Sequence, residues 1–414
     1  MLIVQKYGGS SVANAERILR VASRIGRAHR DGNKVVVVLS AQGDTTDDLY
    51  EKAAEINPNA SRRELDMLVT TGEQQSVALT AIALHKLGFP AISLNAAQVG
   101  IHATSAYGNA RIKSIDTDRV ASELDRNNIV LVTGFQGVNR FGDVTTLGRG
   151  ASDLTAVALA AALGADLCEN YTDVDGIYTA DPNSVANAKK IDCISYDEML
   201  ELASLGAKVL QKRSVEMAKR YNIKLIVRSS LTEAEGTLVN IDGRLPGKGN
   251  AKVEQTYVSA LAVDRDVARI SVVGVQDTPG VAYRIFSLLA KEKISVDIIL
   301  QSIGRSNTKD ISFTVCKNDL QPSMEILEAN KNFIGYERLS FEDTIAKLSV
   351  VGAGMASNPG VASTMFEALY DCNVNINMIS TSEIKISVLI DEQSADKAAA
   401  AVHEKFINNN MKVK

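Results

Sequence analysis

The stretch Ser271-Val272-Val273-Gly274, followed by Pro279-Gly280-Val281-Ala282, occurs twice in this chain of 414 residues. Its second copy reads Ser349-Val350-Val351-Gly352 and Pro359-Gly360-Val361-Ala362, about 80 residues further on. Each copy gives an apolar strand, a Pro-Gly turn and an amphipathic helix, and repetition on this scale indicates a duplicated structural unit. We interpret the pair as a tandem module that senses a small molecule and sets the activity of the residues before it.

Each repeat is predicted to contain a strand, a helix, two strands and a second helix, as in a ferredoxin-like βαββαβ unit. The first repeat includes a predicted strand at residues 295–302 and a last strand near residues 336–341. In the second repeat the chain ends before a last strand can form, whereas residues 258–263 form an unassigned strand just before the first repeat. We therefore expect the early strand to complete the second repeat, so that the first is nested within it.

Residues 1–240 alternate strands and helices, which predicts a three-layer α/β/α domain. The run Val35-Val36-Val37-Val38 is apolar on both faces, as in a central strand of a covered sheet. Helices are expected at residues 15–30, 67–87 and 154–163, the last capped by Ser152 or Asp153. Glycine, proline and charges make residues 241–257 the predicted linker. The first repeat is then assigned to residues 265–342, and the second to 258–264 plus 343–414.

Composition argues against several classes of function. A net charge of −4 gives no bulk attraction to nucleic acid or to an anionic membrane. No apolar run approaches the roughly 20 residues that span a bilayer, and the four apolar residues at the start are too few for a signal peptide. The four cysteines and four histidines show no ligand spacing, so we predict no metal site. We expect a cytoplasmic protein with reduced thiols.

Three clusters of residues could carry chemistry. Lys6-Tyr7-Gly8-Gly9-Ser10-Ser11 follows the first strand and precedes a helix. Adjacent glycines let backbone N–H groups approach an anion closely, and a lysine supplies a point charge for a phosphoryl group. By itself, the pattern is equally consistent with an ordinary strand–turn–helix and a solvated lysine.

The other two clusters lie further along the chain. Thr145-Thr146-Leu147-Gly148-Arg149-Gly150-Ala151-Ser152-Asp153 enters a helix, and its arginine could hold a substrate carboxylate with two hydrogen bonds. The loop from Tyr171 to Pro182 contains Asp-Gly and Asp-Pro turns and could bind a nucleotide base and ribose. Taken singly, a capped helix start and a plain loop explain these two clusters as well.

Together, these clusters resemble the aspartokinases of the amino-acid kinase superfamily. Further matching text is Ser40-Ala41, Gly43-Asp44-Thr45-Thr46, Thr71-Gly72-Glu73 and Gly134-Phe135-Gln136-Gly137. The two repeats resemble that family's tandem ACT domains. The resemblance implies a feedback-regulated enzyme that transfers the γ-phosphate of Mg²⁺-bound ATP to the side-chain carboxylate of L-aspartate. The product, 4-phospho-L-aspartate, would begin lysine, threonine and methionine biosynthesis.

Carried over position by position, the resemblance implies three sets of residues in the catalytic domain. The catalytic residues would be Lys6, Asp153 and Lys208. Aspartate would be held by Ser40, Thr46, Glu73, Arg149, Gly150, Ala151 and Ser152. ATP would be held by Lys6, Tyr7, Gly8, Gly9, Thr172, Asp173, Tyr178, Asp181, Asn183 and Lys208.

Lysine, threonine or both are expected to bind the repeats as effectors. An amino-acid carboxylate could bind the free N–H groups at the start of each repeat's first helix, and nearby acidic or amide groups could accept its ammonium group. The expected effector residues are Asp277, Ala282, Ser295, Val296, Asp297, Gln301, Val361, Ala362, Asn375, Ile376, Ser382 and Glu383. The repeats should also join a second identical chain or a shorter chain that contains only ACT domains.

The sequence departs from the family pattern at four positions. Gln42 stands where the family often has methionine, and Gln74 where it often has arginine. Ala151 stands where the family usually has glycine, and it would narrow the loop if that position requires a positive φ. Asn183 stands where the family usually has arginine, which removes a phosphate contact. The departures at Ala151 and Asn183 keep open the alternative of a regulatory paralogue without catalysis. A separate alternative is another amino-acid kinase, acting on glutamate or a nucleotide.

Overall fold

The computed structural model describes residues 1–206, 209–245, 257–302, 307–355, 358 and 360–408. It divides into two compact units, and the division follows the chain closely but not completely. The first unit contains Met1–Tyr178, Lys190–Ser204 and Lys208–Ala251, and the second contains Thr179–Lys189, Leu205–Ala207 and Lys252–Lys414. Within the described ranges, none of the helices combines the length and the apolar character that a membrane crossing requires.

The first unit alternates strands and helices as predicted. Its strands are β1 (Leu2–Tyr7), β2 (Lys34–Leu39), β3 (Ala91–Leu94), β4 (Ile101–Ala103), β5 (Ile112–Ile115), β6 (Ile129–Thr133), β7 (Gln136–Val138), β8 (Val144–Thr146), β9 (Leu167–Thr172), β10 (Ile177–Tyr178), β11 (Lys190–Ile191), β12 (Cys193–Ser195), β13 (Leu225–Ser229) and β14 (Thr237–Asn240). Its helices are α1 (Ala15–Arg30), α2 (Thr45–Ile56), α3 (Arg62–Val69), α4 (Thr71–Lys86), α5 (Ala96–Val99), α6 (Asp118–Asp125), α7 (Ser152–Leu163), α8 (Tyr196–Ser204) and α9 (Lys212–Tyr221).

Eight strands form the main sheet, in the order β12-β14-β13-β9-β1-β2-β6-β3. The run from β13 through β9, β1, β2 and β6 to β3 is parallel throughout, so these strands all end at the same edge. A second sheet of four short strands, β5-β4-β7-β8, is formed by segments that precede and follow β6 in the chain. The central strand β2 is apolar on both faces, as expected for a covered parallel sheet.

Helices on both faces give the three-layer sandwich that the sequence predicted. One face of the sheet is covered by α1 and α4, whose apolar side chains pack against Val35 and Val37 of β2. These side chains are Ile18, Val21 and Ile25 of α1 and Leu84 of α4. Helix α7 packs on the other face against β1, β2 and β9. Because α7 is apolar all around and buried along most of its length, it lies inside the unit.

The helix predicted at residues 67–87 is wrong as a single element. Two helices, α3 and α4, meet at Thr70, whose hydroxyl donates to Asp66 O at 2.8 Å. This hydrogen bond to the preceding turn competes with the regular helical pattern and accompanies bends in helices. Just beyond it, an added Cβ at Gly72 would lie 2.8 Å from the Ala41 Cβ, so α4 begins in close contact with the loop after β2.

The second unit holds both repeats. Its strands are β15 (Ala260–Asp264), β16 (Ala268–Gln276), β17 (Ile299–Gln301), β18 (Thr308–Val315), β19 (Arg338–Glu342), β20 (Ile345–Val351), β21 (Met378–Thr381) and β22 (Lys385–Asp391). Its helices are α10 (Val281–Lys291), α11 (Lys317–Ala329), α12 (Lys331–Ile334), α13 (Val361–Asp371) and α14 (Ala395–His403), the last continued by a π-helical turn at Glu404–Asn408.

The strand order confirms that the first repeat is nested within the second. One sheet, β17-β18-β16-β19, uses only residues of the first repeat, whereas the other, β15-β20-β22-β21, takes its first strand from before that repeat. Each repeat also has a pair of serine hydroxyls that face each other across two adjacent strands. Ser271 and Ser312 lie 2.8 Å apart between β16 and β18, and Ser349 and Ser387 lie 2.7 Å apart between β20 and β22.

The strand predicted at residues 295–302 is shorter than expected. Only Ile299–Gln301 is a strand, because the two N–H groups before it bind one residue of β18 in different ways. Asp297 N donates to the main-chain oxygen of Thr314 at 3.1 Å, whereas Ile298 N donates to the Thr314 hydroxyl at 3.0 Å. A side-chain acceptor takes the place of a regular ladder partner, and the ladder is interrupted there.

A buried ammonium group joins the two repeats. Lys347 of β20 is 4% exposed, and its Nζ lies 2.6 Å from Asp297 of the first repeat and 3.2 Å from Asp264 of β15. Burial alone lowers the pKa of Lys347, but the hydrogen bond and negative charge of Asp297, with the charge of Asp264, raise it overall. Lys347 therefore stays charged and connects the sheet of one repeat to the loop before β17 in the other.

Replacement of Lys347 by methionine is expected to destabilise the protein by about 2 kcal/mol. Breaking a buried ion pair typically lowers the free energy of unfolding by more than this. The loss is smaller here because Asp297 is half exposed, so that water can solvate its carboxylate in the variant. The midpoint of thermal or urea unfolding measures the change. The control is Lys405→Met, which removes an ammonium group paired to Glu367 and Asp371 on the surface and should change little. Equal effects of the two substitutions would contradict this view of Lys347.

Candidate active site

Backbone hydrogen bonds tie together the loops at the carboxyl edge of the main sheet. Each bond links the residue after one strand to the end of a neighbouring strand: Ser40 N to Tyr7 O, Gly8 N to Tyr171 O, Gly134 N to Leu39 O and Ser230 N to Thr172 O, at 2.8–3.2 Å. Open parallel sheets bind ligands at this edge. The residues after these strands therefore lie side by side: the glycine pair, Ser40, the 134–137 segment and the loop after β9.

The glycine pair allows a close approach between two of these loops. A Cβ added to Gly9 would lie 2.7 Å from Ala41 O and 3.1 Å from Gly43 O, which are both backbone atoms. Gly43 N also donates to Gly9 O at 3.1 Å. Gly8 has no such restriction, because its Cβ would lie 3.5 Å from the Lys6 ammonium group. Gly9 is thus required by packing, whereas Gly8 leaves open the space beside the lysine.

Lys6 forms an ion pair with Asp153. Its Nζ lies 2.7 Å from Asp153 Oδ1, and the two side chains are only 12% and 10% exposed. Asp153 Oδ2 accepts a hydrogen bond from Gln211 N at 3.2 Å, which joins the start of α7 to the start of α9. Lys6 and Asp153 line a pocket between β1, β9 and α7. Two residues 147 positions apart in sequence are thereby brought together at the edge where β1 ends.

The start of α7 differs from the prediction in its cap. The N-cap residue is Ala151, and its side chain makes no capping hydrogen bond; Ser152 and Asp153 are the first two residues of the helix. Asp153 points to Lys6 instead, and Ser152 packs over Gly134, where an added Cβ would lie 2.5 Å from its Oγ. A carboxylate in the first turn still interacts favourably with the positive end of the helix dipole.

The concern about Ala151 is removed by its backbone conformation. Its φ is −76°, an ordinary value for any residue, while the positive φ values fall on Gly148 (98°) and Gly150 (73°). Those two positions are glycine here, so the turn into α7 keeps the flexibility it needs. Ala151 itself is fully buried beside Leu147 and Leu154.

Arg149 does not face the pocket in this conformation. Its side chain is 90% exposed, and one guanidinium nitrogen lies 3.0 and 3.1 Å from the two carboxylate oxygens of Asp47 on α2. Its backbone oxygen accepts from the Gln211 side chain at 3.2 Å. Thr46 lies next to Asp47 at the start of α2. Arg149 is therefore placed to hold a carboxylate, and the one it holds here belongs to the protein.

Glu73 is a buried carboxyl group beside the loop after β2. It is 2% exposed, its Oε1 accepts from Ala41 N at 3.3 Å, and its Oε2 has no hydrogen-bond partner among the described residues. Burial raises the pKa of Glu73 to about 7, only partly opposed by hydrogen bonds from the backbone of Glu73 and Ala41. Once ionised, a buried carboxylate without a partner interacts strongly with a positively charged group.

The predicted nucleotide loop is divided between the two units. Thr172 Oγ1 donates to Asp173 Oδ1 at 2.9 Å, and Tyr178 OH donates to Asp175 Oδ1 at 2.6 Å, within the first unit. Asp181 and Asn183 belong to the segment Thr179–Lys189 of the second unit. There the Asn183 backbone and side-chain nitrogens both donate to Asp181 Oδ1, at 2.9 and 3.0 Å. Lys208, the second lysine expected at the phosphates, lies outside the described residues.

Several residues of this region were not predicted from the sequence. Asp66 is 1% exposed and binds Thr146 N, Thr146 Oγ1 and Gly108 N, so it holds the short sheet in place. Phe135 lies in a segment that the sequence singled out, but its φ of 68°, rare for a bulky residue and a mark of strain, was not predicted. Ser230, Gln211 and Asn170 were missed as well. No local pattern distinguishes them, because their importance comes from contacts far away in sequence.

Comparisons with known proteins agree with this geometry. A family model described as the amino acid kinase family matches residues 1–229, and one described as the ACT domain matches residues 270–330 and 348–406. The aspartokinase of Corynebacterium glutamicum is 50% identical over 408 residues, which cover 98% of this chain and 96% of that protein.

Solved structures give the same result at lower identity. E. coli aspartokinase III in complex with aspartate and ADP (R-state) is 26% identical, with a TM-score of 0.82, and the match covers 98% of this chain and 99% of that one. The same enzyme in complex with lysine and aspartate (T-state) is matched with a TM-score of 0.74 over the same shares of both chains. On this evidence, the chain belongs to the aspartokinase family, with an amino acid kinase domain followed by ACT domains.

Proposed function

We propose that this protein is an aspartate kinase that transfers the γ-phosphoryl group of ATP to the side-chain carboxylate of L-aspartate. The observation that carries the proposal is the Lys6–Asp153 ion pair, which holds a lysine beside the glycine loop at the carboxyl edge of a parallel sheet. The relative from E. coli binds aspartate and ADP, as the name of its complex states. The product is 4-phospho-L-aspartate, an acyl phosphate.

The chemistry requires positioning and charge stabilisation more than proton transfer. An aspartate side chain is ionised at pH 7, so the attacking oxygen needs no general base. Lys6 would neutralise charge that develops on the γ-phosphoryl oxygens, while the glycine-loop N–H groups bind the phosphates. Asp153 would keep the Lys6 ammonium group at one position, and an in-line approach of the carboxylate then completes the arrangement.

Magnesium belongs to the substrate in this proposal. We treat it as an ion that arrives on the phosphates of ATP and spreads their charge during transfer. Two carboxylates expected in the site already have partners, Asp153 in Lys6 and Asp173 in Thr172. No group of three or more His, Cys, Asp or Glu residues in the described part of the chain is arranged to hold a metal ion.

Aspartate would be recognised at its two ends by groups of opposite charge. The free oxygen of Glu73 is the best placed acceptor for the substrate ammonium group, because it is buried without a partner among the described residues. Arg149 would take the α-carboxylate in place of Asp47, which it binds now. Ser40, Thr46 and the 150–152 turn would complete the pocket.

The ACT domains are proposed to make the activity depend on lysine, threonine or both. The N-cap residues of helices α10 and α13 are Gly280 and Gly360, which supply no side-chain cap, so each helix start can bind an effector carboxylate. Two of the expected ammonium acceptors are paired with lysines of the chain itself: Asp277 with Lys309 and Asp297 with Lys347, each at 2.6 Å. An effector ammonium group would have to replace these lysines or bind beside them.

Chain association is proposed to occur through the same domains. β17 and β21 are edge strands, and Ile299 and Ile379 on them are exposed. An apolar exposed edge favours pairing with another strand. The partner is either an identical chain or a shorter chain of ACT domains. Effector binding changes the activity only if it favours one arrangement of the assembly over another.

A hydroxylamine trapping assay tests the proposed reaction directly. With ATP, Mg²⁺ and L-aspartate, the purified protein should yield aspartyl hydroxamate, because hydroxylamine captures the acyl phosphate. Glutamate in place of aspartate should give no signal. Lys6→Ala should lower kcat by at least about 100-fold, since loss of such a charge contact removes roughly 3 kcal/mol of transition-state stabilisation. A cooperative unfolding transition, even at a lower midpoint, shows that the variant is folded. A kcat within threefold of the parent would contradict the assignment.

The pH dependence of aspartate binding should report on Glu73. The pKa of Glu73 is raised from 4.5 to about 7, so kcat/KM for aspartate should rise as the pH increases through 7. The folded protein binds an extra proton between about pH 4.5 and 7, so the contribution of Glu73 to folding falls as the pH rises through this window. In Glu73→Gln the rise in kcat/KM near pH 7 should be lost. Its persistence would assign the titration to another group.

Substitution of Arg149 by lysine should change KM for aspartate more than KM for ATP. An ammonium group cannot reproduce the two-pronged hydrogen bonding of a guanidinium group with a carboxylate. We expect KM for aspartate to rise by about tenfold or more, in keeping with the loss of one charged hydrogen bond, while KM for ATP changes little. Initial rates with each substrate varied in turn measure this. Equal changes in both KM values would indicate that Arg149 contacts the phosphates of ATP instead of aspartate.

Inhibition curves with lysine and threonine, separately and together, should identify the effector. Asp277→Ala and Gln301→Ala are expected to raise the effector concentration for half inhibition several-fold while the uninhibited rate stays near that of the parent. Glu325→Ala, which removes an exposed carboxylate on α11, is the matched control. Unchanged curves for Asp277→Ala and Gln301→Ala would show that the effector binds elsewhere.

A further inference from the structure

The residue next to Lys6 in the sheet is an asparagine with an unused side chain. Asn170 of β9 is the direct neighbour of Lys6 of β1 in the parallel register, and also of Val227 of β13. Lys6, Asp153 and Asn170 line the same pocket. Since residues paired across adjacent strands point to the same face, the Asn170 amide and the Lys6 stem both face α7.

The Asn170 amide is buried without any hydrogen bond among the described residues. The residue is 2% exposed, and neither its Oδ1 nor its Nδ2 has a partner. The pocket walls around it are largely apolar, with Val157, Cys168 and Leu225. Buried amides are normally paired, and an unpaired one destabilises the fold. A leucine would fit such surroundings better, so fold stability does not explain the asparagine, and a functional role is indicated.

The neighbouring groups have the hydrogen-bonding capacity that the amide lacks. A lysine ammonium group has three N–H donors, and Asp153 accounts for the one ion-pair contact of Lys6 in the described residues. An amide oxygen can accept from Lys6 without cancelling its charge, which a second carboxylate would do. The amide NH₂ can in turn donate to Asp153 Oδ1, whose one contact among the described residues is the ion pair with Lys6.

We propose that Asn170 is a positioning residue for phosphoryl transfer, whose amide binds Lys6 and Asp153 when substrates occupy the site. In that state one Lys6 donor contacts the γ-phosphoryl group, one contacts Asp153 and the third contacts Asn170 Oδ1. The amide thereby fixes the direction of the Lys6 ammonium group while its full positive charge remains available to the phosphoryl oxygens. The proposal rests on the aspartate kinase function proposed above.

Two substitutions test the role of the amide. Asn170→Leu keeps the size and removes both polar atoms. We expect kcat to fall roughly 10- to 100-fold, as for a misplaced catalytic group, with both KM values within about twofold and an unfolding midpoint equal to or above that of the parent. A kcat within twofold of the parent, or a fall in kcat that accompanies a lower unfolding midpoint, would overturn the proposal.

The second variant, Asn170→Asp, keeps the proposal testable if leucine prevents folding. A carboxylate at this position adds negative charge beside Lys6 and lowers kcat, but its protonated form resembles the amide. The ratio of variant to parent kcat should therefore rise as the pH falls, and a ratio independent of pH would contradict the proposal. The groups that share the pocket, Lys6, Asp153 and Cys168, are common to both proteins, so the ratio isolates position 170.

A buried asparagine with paired atoms serves as the matched control. Asn139 is 4% exposed, and its side chain binds Phe141 N, Asp143 N and Tyr107 OH. Asn139→Leu should lower the unfolding midpoint and leave kcat near that of the parent, the reverse of Asn170→Leu. The parent is assayed first by hydroxamate formation. An inactive parent contradicts the proposed function, whereas an active parent with active Asn170 variants contradicts only the role of Asn170.

Discussion

The ion pair between Lys6 and Asp153 is the interaction on which the candidate site depends. It joins the central strand β1 to the first turn of the buried helix α7, and both side chains are almost inaccessible to water. A buried charge is tolerated only when an opposite charge and hydrogen bonds accompany it. The ends of β1 and α7 are therefore held in one relative position, and the glycine loop, the Arg149 turn and Gln211 are positioned from them.

A second ammonium group has the same importance in the regulatory unit. Lys347 lies at the contact between the two repeats, where it binds Asp297 of the first repeat and Asp264 of the second. Asp297 is also one of the proposed effector residues. Binding of an effector ammonium group to Asp297 would weaken its attraction for Lys347, and the two repeats would then be held together less tightly. This competition offers a physical route from effector to domain arrangement.

Features with a local cause could be predicted from the sequence. The repeated Ser-Val-Val-Gly and Pro-Gly-Val-Ala segments predicted the duplicated unit, and the missing last strand predicted the nesting. The strand–turn–helix around Gly8-Gly9 was also predicted, and its role in phosphate binding stays a prediction. Errors arose where a distant partner decides the local structure. Thr314 interrupts the ladder before β17, and Lys6 draws Asp153 away from capping α7. Asn170 and Asp66 gave no signal, because only the sheet register and burial reveal them.

A double-mutant cycle on Lys6 and Asp153 tests the central claim most directly. The kcat for hydroxamate formation would be measured for the parent, Lys6→Met, Asp153→Asn and the double variant, each checked for folding by its unfolding curve. If the pair acts as one unit, the double variant will be no slower than the slower single variant, because either change removes the same interaction. Rate losses that multiply in the double variant would show that the two residues act independently, and would contradict this account.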